Sequence, residues 1–139
     1  MMSPNKKTVQ KYIDAFNKCD YRQILSCLTD DIIWIRPDAF HLFGKKAVDR
    51  EIEKDDLISN STIKVNRLTE EKNIVVAIGT VQIEWKIGGV LNAVFCDVFE
   101  MENEKIKRLT TYQLNLDKTG TNNEKSYASS QQGYLFDDF

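Results

Sequence analysis

The chain has 139 residues, 42% hydrophobic and 29% charged, enough for one globular domain with a core that needs no disulfide or metal staple. Its 19 lysines and arginines are interspersed with 21 acids for a net charge of −2, which argues against the clustered basic face that nucleic acids require. Cys19, Cys27, Cys96 and the single His41 share no ligand spacing, so neither a disulfide framework nor a metal centre is expected.

The opening "MMSPNKKTVQKY" has no apolar run of the signal-peptide kind, and no later segment is long enough to span a bilayer. With free thiols, this leads us to expect a cytoplasmic protein without membrane contact. Ser3 followed by Pro4 is a helix start, and Val9, Tyr12, Ile13 and Phe16 make an apolar stripe at helical spacing. After a break over residues 17–20, a second helix is predicted from about Tyr21 to Leu28. "TDD" then leads into "IIWIR", a strand ended by Pro37. A brief extended piece reaches Gly44, and a third helix is predicted from about Lys46 to Leu57, with Val48 and Ile52 facing inward.

From there the periodicity changes to two. Thr62–Thr69, Ile74–Ile87, Val90–Glu102 and Lys105–Leu116 read as strands, separated by "EEKN", "GG" and "NE" as hairpin turns. Helices first and an antiparallel meander afterwards predict an α+β domain over residues 1–116, its helices packed on one face of a curved sheet. Residues 117–139, rich in Asn, Ser, Gln and Gly, read as a flexible tail with an apolar "GYLF" near its end.

In "VLNAVFCDVFEMENEKIKRL", strand alternation puts Leu91, Ala93, Phe95, Asp97, Phe99 and Met101 on one side. A carboxyl on an apolar wall is held neutral by desolvation and becomes a hydrogen-bond donor to a substrate oxygen that gains charge. The alternative is a β-bulge that turns Asp97 to solvent or to an arginine. Tyr12 lies on the first helix's apolar stripe, and its hydroxyl needs a partner, either in a cavity or on a backbone carbonyl. Arg36 ends its strand near a cavity mouth, free to bind an anion or to pair with Asp38 or Asp97. Trp34, Trp85, Phe16, Phe95 and Phe99 are candidate walls. His41 is a candidate general base, or a plain exposed loop histidine. No P-loop, dinucleotide fingerprint, nucleophile elbow or metal motif occurs, so no cofactor is expected.

The order of these elements is familiar. "TVQKYIDAFNKCDYRQILSCLTDDIIWIRPDAFHLFGKKAVDREIEK", with Asp20, the pair Asp30 and Asp31, and Gly44, resembles the start of SnoaL-like proteins of the nuclear transport factor 2-like superfamily. "FCDVFEMENEKIKRLTTYQL" resembles the same group's closing hairpin, and the likeness runs from Val9 to about Leu116. The resemblance implies a cystatin-like cone, with a curved sheet wrapping three helices around a deep apolar pocket, and a homodimer paired through the outer sheet face. It also implies that Tyr12 and Asp97 fall at the tyrosine and protonated aspartate of the ketosteroid isomerases' oxyanion hole. The isomerases' carboxylate base falls at Arg36, and an arginine stays protonated near neutral pH. Asp38 would take that role only after a backbone shift.

Three functions follow as alternatives. One is an isomerase, cyclase or dehydratase acting on a small carbonyl-containing apolar molecule, with Asp97 and Tyr12 as donors and His41 or Asp38 as base. The second is a pocket that binds such a ligand without chemistry, oriented by Asp97, Tyr12 and Arg36. The third is a dimeric interaction module that works through its sheet face or tail. The first two need a pocket, of about 300 Å³ or more by the usual range, and the first also needs a base facing it.

Overall fold

The computed structural model describes residues 2–53, 58–85 and 88–116. The first helix, α1 (Pro4–Lys18), starts as the sequence dictates: the Ser3 hydroxyl accepts a hydrogen bond from the Lys6 amide at 3.1 Å, with Pro4 in the first turn. It ends at Cys19, whose left-handed backbone (φ +56°) turns the chain. The Asp20 side chain then caps α2 (Tyr21–Ser26) by accepting from the Gln23 amide.

That helix stops short of the expected Leu28, because Leu28 already pairs with the sheet and the Ile106 amide donates to the Cys27 carbonyl at 2.8 Å. The strand β1 (Leu28–Arg36) therefore includes "TDD", which the sequence reading placed before it. An irregularity between Leu28 and Ile33 carries the two acids to the surface, where Asp30 lies 3.6 Å from Lys45. Pairing with a neighbouring strand outweighs aspartate's poor strand propensity. After β2 (Phe40–Phe43), Gly44 at φ +90° opens α3 (Lys45–Glu53), which buries Val48 and Ile52 as expected.

Four long strands follow: β3 (Ile58–Glu71), β4 (Ile74–Trp85), β5 (Val90–Glu102) and β6 (Lys105–Leu116). The β3 strand begins earlier and ends later than its sequence signal. The predicted helix end beyond Glu53, the strand end at Ile87 and the tail from Asp117 lie outside the described residues. Two turns are tight, with positive φ at both central residues, Lys72-Asn73 and Asn103-Glu104, the geometry that matches strand twist.

Together the strands make one six-stranded sheet in the order β2-β1-β6-β5-β4-β3, antiparallel except where β1 meets β6. The chain folds as a cone with helices on the concave face. A bulge between Val65 and Arg67 bends β3 over Gly79. There a Cβ would lie 1.9 Å from the Lys64 carbonyl oxygen, so only glycine permits the approach.

The core sits between helices and sheet around Val9, Ile13, Ile24, Ile32, Phe99 and Leu109, all at most 2% exposed. At its start, α1 is tied to the β3–β4 hairpin: Ser3 donates to Glu70, and the Asn5 amide donates to Glu70 Oε2 (2.8 Å) and Asn73 Oδ1 (3.1 Å). At its end, the Asn17 amide pairs with the backbone of Ile63 in both directions, covering the edge of β3.

Candidate functional site

Between the second half of α1 and the concave sheet lies a cavity of about 180 Å³. It is smaller than the range expected for drug-sized ligands and holds roughly six waters' volume, or one small ring. The α1 stripe supplies Tyr12, Ile13 and Phe16, and the sheet supplies Trp34, Phe95 and Val81 among its apolar wall. Ring centroids of Tyr12 and Phe16 are 5.0 Å apart, and those of Tyr12 and Phe99 5.5 Å, both edge to face. These contacts fix the phenol's position.

Asp97 stays on the inner face. It pairs in regular register with Ala77 on one side and Thr111 on the other, so no bulge turns it outward. Its Oδ1 is buried without a hydrogen-bond partner. Burial pushes the carboxyl up to about 7, and a hydrogen bond from Thr111 and the charge of Arg36 pull more weakly the other way. Trp34 Nε1 donates to Thr111 Oγ1 at 3.0 Å, which leaves the threonine hydroxyl its own proton to offer the carboxyl.

Arg36 stands on the same wall. Ile35 pairs with Thr110, so Arg36, Thr111 and Asp97 form a polar row across three adjacent strands. Two strand spacings, roughly 10 Å, separate the backbones of the arginine and the aspartate. The guanidinium Nε lies 3.4 Å from Asp38 Oδ1 but makes no directed hydrogen bond, and its atom is buried. The Tyr12 phenol is held well above its ordinary value by burial first, then by the charges of Asp97 and Cys27.

The structure thus brings Asp97, Tyr12, Arg36, Trp34, Phe16 and Phe95 to one cavity. It does not bring Asp38, His41, Trp85 or Phe99 among the lining residues. Asp38 sits in the exposed turn after Pro37, with its side chain 61% exposed. His41 pairs with Ile35, which alternation points to the face opposite Trp34 and Arg36, so the imidazole is on the outside. Trp85 shares a face with Ile83 but ends its strand beyond the cavity, and Phe99 is fully buried beneath Tyr12.

The sequence reading missed Thr111 and Gln113. Counting by twos from buried Leu109 along β6 finds both on the inner face. Cys19 and Tyr21 at the α1–α2 corner, and Ser61 on β3, left no such signal. Among the described residues, no cluster of three or more His, Cys, Asp or Glu is arranged to hold a metal ion.

Comparison with known proteins agrees with the fold. A nuclear transport factor 2-like protein of unknown function from Burkholderia pseudomallei superposes with TM-score 0.74 at 23% identity, covering 79% of this chain and 90% of that one. An LEH-like epoxide hydrolase from M. tuberculosis gives 0.73 at 15% identity, covering 80% and 83%. A candidate SnoaL-like polyketide cyclase from Shewanella putrefaciens gives 0.72 at 14%, covering 81% and 91%. At these identities the likeness concerns the fold. No curated protein matches the chain. The SnoaL-like domain family matches residues 9–109, most of the chain, and the chain belongs to that family.

Proposed function

We propose that this SnoaL-like protein binds a small, largely apolar, carbonyl-bearing molecule in the cavity and acts on it by acid–base chemistry through Asp97. The observation that carries the reading is the buried, unpartnered Oδ1 of Asp97 on a regular strand facing that space. A carboxyl that titrates near neutrality is matched to giving and taking a proton at cellular pH. Tyr12 supplies the second donor to the ligand oxygen, and the largely apolar wall lowers the local polarity, which strengthens both hydrogen bonds. Two of the fold relatives carry enzyme names, an epoxide hydrolase and a candidate polyketide cyclase. Fold alone does not transfer their reactions.

The second reading is a binding pocket without chemistry. The exposed positions of Asp38 and His41 favour it, because reactions that need a separate base find none among the described lining residues. In either reading we propose a homodimer through the outer sheet face. There Tyr112 and Leu114 are 54% and 61% exposed beside half-buried Cys96 and Val94, an apolar strip that a second copy would cover.

The test is the titration of Asp97 by carbon-detected NMR in the wild type and in Tyr12→Phe. Proton loss near pH 7, shifted by removal of the phenol, supports a shared desolvated pocket. An ordinary carboxylate value, indifferent to Tyr12, sinks both pocket readings.

A further inference from the structure

The polar groups on the cavity wall are unequal in kind. Arg36 carries five N–H donors and no acceptor, and it is positively charged at every accessible pH. Tyr12, Gln113 and Ser61 each bring a donor, and Asp97 brings another once it holds a proton. Among the described residues, no carboxylate lining the cavity forms an ion pair with the arginine. Its one ion-pair partner among the described residues, Asp38, lies on the solvent side, 61% exposed and not directed as a hydrogen bond, and such a pair contributes little.

Asp97 does not reach Arg36 either; no ion pair joins them. Arg36 Nε and Asp97 Oδ1 are thus both buried on this wall and make no hydrogen bond among the described residues. A neutral ligand would leave the guanidinium with only its weak, exposed Asp38 partner, and a cation would be repelled. An anion with two oxygens in one plane fits the arginine's fork and has a lone pair left for a second donor.

We propose that the cavity takes a small apolar monocarboxylic acid as its anion, with the carboxylate seated between the Arg36 guanidinium and the Asp97 carboxyl. The proposal rests on the reading of the cavity as a ligand site and names the class of ligand. The volume of about 180 Å³ suits a single ring bearing the carboxylate, and the aromatic wall of Phe16, Trp34 and Phe95 suits the ring.

Binding is then linked to a proton. With the anion in place, an ionised Asp97 would face a like charge, so the complex holds the carboxyl protonated. Few other titratable groups face Asp97 from the packed elements. The α1 helix offers Tyr12, the helix corner Cys19 and Tyr21, and β1 Arg36, while Cys96 neighbours Asp97 on its own strand. The lining residues from α3, β3, β4 and β6 are not titratable. Arg36 is thus the one other charged side chain among the described lining residues, and the proton taken up belongs to Asp97.

The experiment is calorimetric titration of the full chain with benzoate and with benzamide, repeated from pH 5.5 to 8.5. We expect benzoate to bind with Kd below about 1 mM at pH 6, and benzamide at least about tenfold more weakly. Above pH 7 the benzoate affinity should fall about tenfold per pH unit, with proton uptake visible in buffers of different ionisation heat. Arg36→Gln should weaken benzoate by about tenfold or more, closing the gap to benzamide. Asp97→Asn should flatten the pH slope.

Equal binding of acid and amide, no heat from benzoate at about 10 mM, or a flat pH profile each overturns the proposal. The acid–amide comparison and the pH slope need no variant, so they stand even if Arg36→Gln fails to fold. If Asp97 titrates near pH 7 while any of these failures occurs, the ligand class is wrong and the pocket reading survives. If Asp97 titrates as an ordinary carboxylate, both fall.

Discussion

The two ends of α1 treat polar side chains in opposite ways. At the first turn, Asn5 is buried, and its amide donates both to Glu70 and to Asn73, while Ser3 caps the helix and also holds Glu70. The hydrogen bonds from Ser3 and Asn5 keep the Glu70 carboxyl below the usual carboxylate range. Two turns of helix later the packing opens into a cavity lined by Tyr12, where Asp97 Oδ1 and Arg36 Nε are buried and make no hydrogen bond among the described residues. Native proteins satisfy nearly all buried polar groups. The satisfied end is therefore structure, and the unsatisfied end is where the proposed ligand would supply the missing partners. The difference separates residues that hold the fold from those that wait for something else.

Substitutions at the two ends should therefore differ in kind, and the largest effect belongs to the open end. Asp97 holds its proton to about pH 7 in the folded chain, against an ordinary value of 3.8. The folded state binds the proton more tightly, so the contribution of this group is full below about pH 4 and is lost as pH rises through about 7, by up to about 1.4 kcal/mol per pH unit. Asp97→Asn removes that dependence. Urea denaturation should find the variant level with the wild type at pH 4 and more stable at pH 8. Parallel curves for the two proteins would show that Asp97 is solvated and that the two ends do not differ.

At the closed end the sign reverses. Asn5→Ala should destabilise by about 1–3 kcal/mol at any pH between 5 and 8, because buried hydrogen-bond partners are left unmatched. The Asp97 titration should not move. If Asn5→Ala shifts that titration as far as Tyr12→Phe does, the two ends are one network and the distinction fails. The smallest effect on stability is expected outside the cone. Leu114→Lys should change the folding free energy of a protomer by no more than about 0.5 kcal/mol, yet convert a dimer to a monomer in sedimentation. A wild type that sediments as a monomer would sink the dimer proposal.

Much of this was legible along the chain, because it depends on local pattern. The Ser3-Pro4 helix start, the stripe of Val9, Tyr12 and Ile13, the β5 alternation and the turn at Asn103-Glu104 all follow from neighbours a few residues apart. The same alternation marked Asp97 as an acid on an apolar face before any fold was known. Pattern failed where pairing with distant residues decided the outcome. Leu28 left its helix because Ile106 offers it a strand partner, and "TDD" became strand for the same reason.

His41 shows the limit at the site itself. It lies five residues from Arg36 and Asp38 lies two from the same arginine, yet the β1–β2 pairing turns the imidazole outward and the turn exposes the aspartate. The row of Arg36, Thr111 and Asp97 is assembled from residues up to 75 positions apart in the chain, through a parallel pairing that no local signal announces. The chain's own periodicity determined which face each side chain takes, since that depends only on backbone geometry. Only the tertiary structure decided which faces meet and which polar groups find partners, since that depends on the registers between elements.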